Sequence, residues 1–294
     1  MSATTKLVGF AAVLAAVFGG ALAVGALVGP IDTSGDAGHA QGLEAPIEGG
    51  ELGGLSVAQA GYRLVLDSAT LQPSAPVDFG FRVVDSSGRP LAAYDELHER
   101  PLHLIVVSRN LVDYFHLHPQ MQANGHWTIE LPALRPGSYR LFADFQPTGS
   151  SNLTLGADLA VPGELGAGEL PSVSTESTVD GYDVVLIADP VVGETDVSFT
   201  VRRNGEPIRT EPYLGASGHL VAIRSADLAY LHVHPHEESS PAVTFTAEFP
   251  SAGTYRLFLD FAHDGEVHTA AFTLAVADST AAPQTGNSPH DEGH

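Results

Sequence analysis

Short runs in which apolar and polar residues alternate recur between residues 55 and 277. A period of two residues is typical of β-strands, because successive side chains of a strand point to opposite faces. Alternating runs, or short apolar runs between turn residues, are Tyr62 to Leu66, Val77 to Val83, Leu102 to Val107, Trp127 to Leu131, Tyr139 to Phe145 and Leu153 to Val161. No stretch of this region has a convincing helical period, so the pattern predicts an all-β protein.

The pattern occurs twice. LHLIVVSRNLVDYFHLHP, which begins at Leu102, aligns with GHLVAIRSADLAYLHVHP, which begins at Gly218. PGSYRLFADF, which begins at Pro136, aligns with AGTYRLFLDF, which begins at Ala252. Aligned residues lie 116 positions apart without a gap. Self-similarity of this kind indicates a duplicated domain.

The number and spacing of the strands favour one architecture. About seven strands in about a hundred residues are typical of an immunoglobulin-like β-sandwich. Tyr139 and Tyr255 each follow a turn at the start of a late strand, where a tyrosine corner would lie. We therefore predict two tandem Ig-like, seven-stranded β-sandwich domains after an N-terminal transmembrane helix. The expected organisation is a transmembrane helix in residues 1–28, a flexible spacer in 29–54, the first sandwich in 55–161, a linker in 162–171, the second sandwich in 172–277 and a disordered, histidine-containing tail in 278–294.

The N-terminal segment predicts export. Leu7 to Val28 carry no charge, and a helix of this length spans a bilayer core of roughly 30 Å. Lys6 precedes the run and acidic sequence begins at Asp32, so the C-terminal bulk should face outward. Cleavage after Ala23 would release a secreted protein, but the apolar run exceeds the core of about 7–15 residues of a signal peptide, which favours a retained single-pass anchor.

Composition excludes several function classes. The formal net charge of −22 argues against nucleic acid or anionic lipid as a partner. The absence of cysteine rules out disulfides, thiolate metal sites and cysteine nucleophiles. The chain also has no nucleophile elbow, phosphate-binding loop or HExxH motif, so we expect that it is not an enzyme.

Histidines carry the candidate chemistry. Each repeat has a histidine early in a strand, an HxH pair and an aspartate in a later strand, and the two histidines of an HxH pair point to one face of a strand. Three imidazoles and a carboxylate suit Cu(II), with Zn(II) less favoured. Methionine is too scarce for a Cu(I) site, since Met1 and Met121 are the only two. The predicted ligands are His103, His116, His118 and Asp144 in the first repeat and His219, His232, His234 and Asp260 in the second.

A structural interpretation explains the same residues. Phe115 and Leu117 alternate with the HxH histidines, and Asp144 shares a strand face with Arg140. The polar residues would then form a hydrogen-bonded cluster on an outer face or an edge, where Arg140 and Arg256 compete for the aspartates. The remaining histidines occur in one repeat only. They are His98 and His126 in the first and His236, His263 and His268 in the second, which makes the second repeat the richer metal candidate.

The motifs HLIVV, HLHP and PGSYRLFADF, followed by LHVHP and AGTYRLFLDF, resemble a family of actinobacterial envelope proteins described as hypothetical secreted or heavy-metal-associated proteins. The resemblance extends over residues 61–276 and implies an envelope location and a role in copper or other heavy-metal handling. We therefore expect a membrane-anchored, extracytoplasmic protein that binds a divalent metal, foremost copper, as a buffer or carrier. The alternative is a non-catalytic module that presents a surface to another envelope protein and whose His–Asp cluster is structural.

Overall fold

The computed structural model describes Phe18 and residues 52–73, 75–164, 168–231, 233–236 and 242–278. The segments expected to form the transmembrane helix, the spacer and the tail lie almost entirely outside these residues. Among the described residues, no helix has the length and apolar character needed to cross a membrane. Both repeats belong to one compact unit, Gly49–His294.

The described residues of the two repeats form twenty strands. Those of the first repeat are β1 (Ala58–Gln59), β2 (Tyr62–Leu66), β3 (Val77–Val84), β4 (Tyr94–Asp95), β5 (Leu102–Ser108), β6 (Tyr114–Leu117), β7 (Gln120–Met121), β8 (His126–Leu131), β9 (Gly137–Pro147) and β10 (Leu153–Val161). Those of the second are β11 (Glu176–Val179), β12 (Tyr182–Ile187), β13 (Gly193–Arg203), β14 (Glu206–Pro207), β15 (His219–Arg224), β16 (Tyr230–Leu231), β17 (Val233–Pro235), β18 (Val243–Phe249), β19 (Gly253–His263) and β20 (Glu266–Val276).

Each repeat is a sandwich of two antiparallel sheets. In the first repeat the sheet β1-β2-β3-β8-β7 faces the sheet β10-β9-β5-β6, with β4 paired to β9. In the second repeat the sheet β11-β12-β13-β18-β17, with β14 paired to β13, faces the sheet β16-β15-β19-β20. Buried aromatic and aliphatic side chains, Trp127 and Phe81 among them, fill the space between the sheets of the first repeat. The prediction of two Ig-like β-sandwiches is confirmed.

Both tyrosine corners form. The Tyr139 hydroxyl donates a hydrogen bond of 2.9 Å to the carbonyl oxygen of Arg135, and the Tyr255 hydroxyl donates one of 2.8 Å to the carbonyl oxygen of Ser251. Each bond pins the start of a long strand, β9 or β19, to the turn before it. Since strands β9 and β19 carry the two aspartates of interest, the corners help to set their register.

One sheet of each repeat has buried apolar residues on both of its faces. On β5, Leu104 and Val106 face the core of the first sandwich, whereas Ile105 and Val107 belong to a separate buried cluster. That cluster lies between the repeats, because its members from the second repeat include Val221, Ile223 and Phe258. The Tyr114 ring stacks on Phe258 with centroids 4.0 Å apart. Strand β5 therefore has no solvent-exposed face.

Candidate metal centre between the repeats

The first histidine and the aspartate of each predicted set lie at equivalent places in the two repeats. His103 is the second residue of β5 and pairs in register with Asp144 on β9, and His219 begins β15 and pairs with Asp260 on β19. Because side chains alternate along β5, His103 shares a face with Ile105 and Val107 and points toward the second repeat. The polar face predicted to lie on the outside of the sandwich is therefore an interface between the repeats.

Three imidazoles meet there. One ring nitrogen each of His103, His116 and His219 lies within 4.8 Å of the other two. The rings of His103 and His219 stack with centroids 5.3 Å apart. The group is buried: His103 has no exposed area, and His219 is 9% exposed. Two of its members come from the first repeat and one from the second.

Hydrogen bonds set the tautomers of two of these rings. His103 Nε2 lies 2.9 Å from the carbonyl oxygen of Leu97, and His116 Nδ1 lies 2.8 Å from Asp260 Oδ2. A carbonyl oxygen and a carboxylate oxygen only accept, so both of these nitrogens carry a proton. In the neutral rings, His103 Nδ1 and His116 Nε2 then both present lone pairs. These two nitrogens are 2.9 Å apart.

Asp260 is fully engaged. It is 2% exposed, and its Oδ1 accepts a hydrogen bond of 2.6 Å from the Thr269 hydroxyl. Its Oδ2 accepts from the Tyr114 hydroxyl at 3.2 Å in addition to His116. Burial, with the nearby Asp260 as the second cause, raises the pKa of Tyr114 well above its ordinary value, so this phenol remains a donor. A carboxylate that orients the far nitrogen of a histidine is a common feature around protein-bound metal ions.

The electrostatics of the centre favour neutral imidazoles. Burial, reinforced by the neighbouring His116, lowers the pKa of His103 to about 3. Burial also lowers the pKa of His219 well below its usual value, and burial with His116 lowers the pKa of His118 to about 4. Neutral imidazole is the form that binds a metal ion, so these rings are ready to act as ligands at neutral pH.

His118 stands beside the three-histidine group. Its ring centroid is 4.8 Å from that of His116 and 5.1 Å from that of His103. His118 Nε2 and His219 Nδ1 are buried and have no hydrogen-bond partner among the described residues. A buried polar atom without a partner is costly and calls for an explanation such as an ion.

Two other predicted ligands are not members of the three-histidine group. Asp144 is buried and accepts a hydrogen bond of 2.7 Å from Thr154. His234 is exposed on β17, in the sheet of the second repeat that contains β18. His232 lies outside the described residues. The three-histidine group of the described residues draws on both repeats, whereas the sequence predicted a separate site in each.

The two arginines do not compete for the aspartates in the way that we expected. Arg140 donates to the carbonyl oxygen of Gly54 at 2.6 Å and to Asp158 at 2.8 Å. Arg256 donates to the carbonyl oxygen of Leu111 at 3.2 Å. The guanidinium groups therefore anchor backbone segments at the interface and leave Asp260 to the histidine.

Sequence reasoning missed His98. Its ring centroid lies 5.4 Å from that of His219 and 6.0 Å from that of His103. The residue that corresponds to His98 in the second repeat is Leu214. A search for histidines shared by the two repeats therefore does not find His98. Only its closeness in sequence to His103 indicated a role. The remaining histidines of the described chain each lie beside a separate aspartate: His126 beside Asp67, His236 beside Asp196, His263 beside Asp264 and His268 beside Asp180. Among the described residues, the first repeat supplies more of the clustered histidines than the second.

Comparison with solved structures gives matches of low sequence identity. The Escherichia coli adhesin FdeC is 15% identical over 74% of this chain and 64% of its own, with a TM-score of 0.24. Salmonella α-2-macroglobulin is 14% identical over 77% and 15%, with a TM-score of 0.28. InvD of Yersinia pseudotuberculosis is 13% identical over 79% and 62%, with a TM-score of 0.25. The chain spans less than two thirds of each, and TM-scores this low support no functional argument.

Sequence comparison identifies the family. A search of curated protein sequences finds no match. The family model described as a domain of unknown function, DUF8832, matches residues 56–161 and again residues 177–278. All the strands of the two sandwiches lie within these two ranges, apart from one residue, Glu176, at the start of β11. The chain belongs to the DUF8832 family and contains its domain twice.

Proposed function

We propose that this protein holds one divalent metal ion, Cu(II) in preference to Zn(II), at the interface of its two repeats. His103, His116 and His219 are the ligands, His118 is placed to be a fourth, and Asp260 orients His116. The single observation that carries the proposal is the 2.9 Å approach of His103 Nδ1 to His116 Nε2, two nitrogens that both present lone pairs when the rings are neutral.

The number of protons on the two neutral imidazoles supports this proposal. Three contacts run in series from the Leu97 carbonyl through His103 and His116 to Asp260. Three hydrogen bonds need three protons, and two neutral imidazoles supply two. A metal ion in the central contact accepts both lone pairs and removes the deficit.

The ligand types favour Cu(II). Imidazole nitrogens supplemented by carboxylate suit Cu(II), with Zn(II) less favoured. Among the described residues, the one methionine is Met121, which is 38% exposed on β7, so a soft site for Cu(I) is not supported.

The proposed role is retention rather than catalysis. The ligands are buried and come from two domains, an arrangement that suits a buffer or carrier. The location is extracytoplasmic, on the strength of the apolar run Leu7 to Val28, of which only Phe18 is among the described residues. The net charge of −22 attracts cations to the protein surface. The heavy-metal association implied by the family resemblance is part of this proposal.

The test is a calorimetric titration of the metal-free full chain with Cu(II) at neutral pH. We expect one equivalent per chain in the wild type and severe loss in His116→Gln. The matched control is His234→Gln, which changes the exposed histidine of the other HxH pair. Two equivalents, or binding that survives in His116→Gln, would contradict the interface site.

A structural network is the second candidate. The same three contacts are satisfied without metal if the His116 ring carries a proton on each nitrogen and donates both to Asp260 and to His103. This state predicts that Cu(II) leaves the melting temperature unchanged and that His116→Gln lowers the stability of the metal-free chain. The double sandwich would then serve as a module that docks onto another envelope protein.

A further inference from the structure

A strained turn borders the metal centre. Leu97 and Arg100 exchange backbone hydrogen bonds of 2.8 and 3.0 Å, which closes a two-residue turn at His98 and Glu99. The φ angles of these two residues are 49° and 62°. A turn with positive φ at both central positions strongly prefers asparagine, aspartate and glycine. Strained backbone that persists in a folded protein is often found at functional sites.

The second repeat has the corresponding turn without the imidazole. Tyr213 and Ala216 exchange backbone hydrogen bonds around Leu214 and Gly215, whose φ angles are 54° and 79°. The two turns face each other, because a Cβ added to Gly215 would lie 3.7 Å from Glu99 Cγ. Of the two facing turns, only the turn of the first repeat therefore contains a histidine. That residue, His98, has a positive φ angle, which glycine adopts more readily.

His98 lies between the buried ligands and solvent. Its side chain is half-buried, whereas Glu99 and Arg100 beside it are exposed. Its ring makes no hydrogen bond to any residue in the described part of the chain, although it lies 5.4 Å from the ring of His219. The turn is also tied to a ligand, because the Leu97 carbonyl accepts the hydrogen bond of His103.

The position of this ring makes it available to an incoming ion. Its centroid lies 5.4 Å from that of His219 and 6.0 Å from that of His103. An imidazole without a hydrogen-bonded partner can rotate and bind a metal ion.

We propose that His98 is the access residue of the centre: it takes up the divalent ion at the surface and passes it to His219 and His103. This inference rests on the proposed function. Each transfer exchanges one ligand for another: a metal–water bond breaks as the His98–metal bond forms, and that bond breaks as a bond to a buried imidazole forms. The oxidation state of the ion is constant throughout.

The experiment measures rates on the full chain. Cu(II) supplied as its glycine complex is mixed with metal-free protein in a stopped-flow instrument, and loading is followed by the visible absorption of the bound ion. Release is followed by transfer to excess EDTA. The test variant is His98→Asn, because asparagine tolerates positive φ and removes the imidazole. Leu214→Asn in the other turn is the matched control.

We expect His98→Asn to slow loading and release together by about tenfold or more, which corresponds to about 1.4 kcal/mol of lost transition-state stabilisation. The equilibrium affinity stays near that of the wild type, and Leu214→Asn keeps wild-type rates. Unchanged rates in His98→Asn overturn this inference alone. A loss of affinity as large as that of His116→Gln would make His98 a ligand and overturn the access role. If the wild type binds no Cu(II), the proposed function fails as well.

Discussion

The two HxH pairs have the same spacing and different surroundings. In the first repeat, β6 pairs with β5 through Leu117, and the next residue, His118, lies beside the buried histidines. In the second repeat, pairing with β15 ends at Leu231, and Val233 to Pro235 pair instead with β18 in the opposite sheet. This change of sheet leaves His234 exposed. Equal sequence therefore does not ensure an equal environment.

The loops preceding β5 and β15 diverge as well. The turn before β5 carries His98, and the turn before β15 carries Leu214 and a glycine. The aspartates remain alike, since Asp144 and Asp260 are both buried and both accept a hydrogen bond from a threonine of the next strand. Among the described residues, the two repeats thus contribute unequally to the candidate metal centre, and the following experiments test that inequality.

The largest effect is expected from the ligand of the second repeat. His219→Ala removes one of three converging nitrogens, so Cu(II) affinity should fall by about 100-fold or more even though the first repeat is untouched. His234→Ala, in the same repeat, should leave affinity unchanged. Calorimetric titration of both variants measures this. Equal losses in the two variants would argue for a separate site in each repeat.

The next largest effect should distinguish the two aspartates by how much each one contributes to Cu(II) affinity. Asp260→Asn weakens the orienting contact with His116, so Cu(II) affinity should fall by about 10- to 100-fold. Asp144→Asn should change affinity far less, because Asp144 lies outside the three-histidine group. Competition with a chelator of known affinity compares the variants. A larger loss in Asp144→Asn would reverse the proposed roles.

The pH dependence of the metal-free chain is the third comparison. The pKa values of His118, about 4, and His103, about 3, lie below that of an unfolded histidine, about 6.5. Between pH 6.5 and 4 the unfolded chain therefore binds protons that the folded chain does not, and stability falls as the pH falls. The melting temperature followed by circular dichroism should drop by several degrees from pH 7.5 to 5.

The same pH series distinguishes the two HxH pairs. His118→Gln removes one of the buried rings and should flatten the decline, whereas His234→Gln changes an exposed ring and should leave it as in the wild type. A metal-free chain whose melting temperature is constant over this range would contradict the burial of neutral imidazoles at the interface.

The smallest expected effect concerns a feature that the two repeats share, the tyrosine corner. Tyr139→Phe and Tyr255→Phe each remove one corner hydrogen bond, and each should lower the free energy of unfolding by about 1 kcal/mol. Urea denaturation measures both. Because the two bonds are 2.9 and 2.8 Å long, the costs should be similar. A loss confined to one variant would show that the corners are not equivalent.

The sequence by itself determined the strands, the duplication and the tyrosine corners. It also determined which side chains share a face, because alternation along a strand is a local property: Phe115 and Leu117 pack against the core of the first sandwich, and His116 points the other way. The candidate ligands were identified from their recurrence at matched spacing. His98 was missed because it does not recur.

Only the tertiary structure decided what covers the strand face that carries the histidines. The packing of one repeat on the other depends on contacts such as Tyr114 on Phe258, which lie far apart in the chain. Those contacts bring His219 and Asp260 to His103 and His116, so histidines of both repeats meet at one interface, which the sequence pattern of a single repeat does not predict. Strand alternation determines the side to which an imidazole points, and the docking of a second domain determines which groups it meets there.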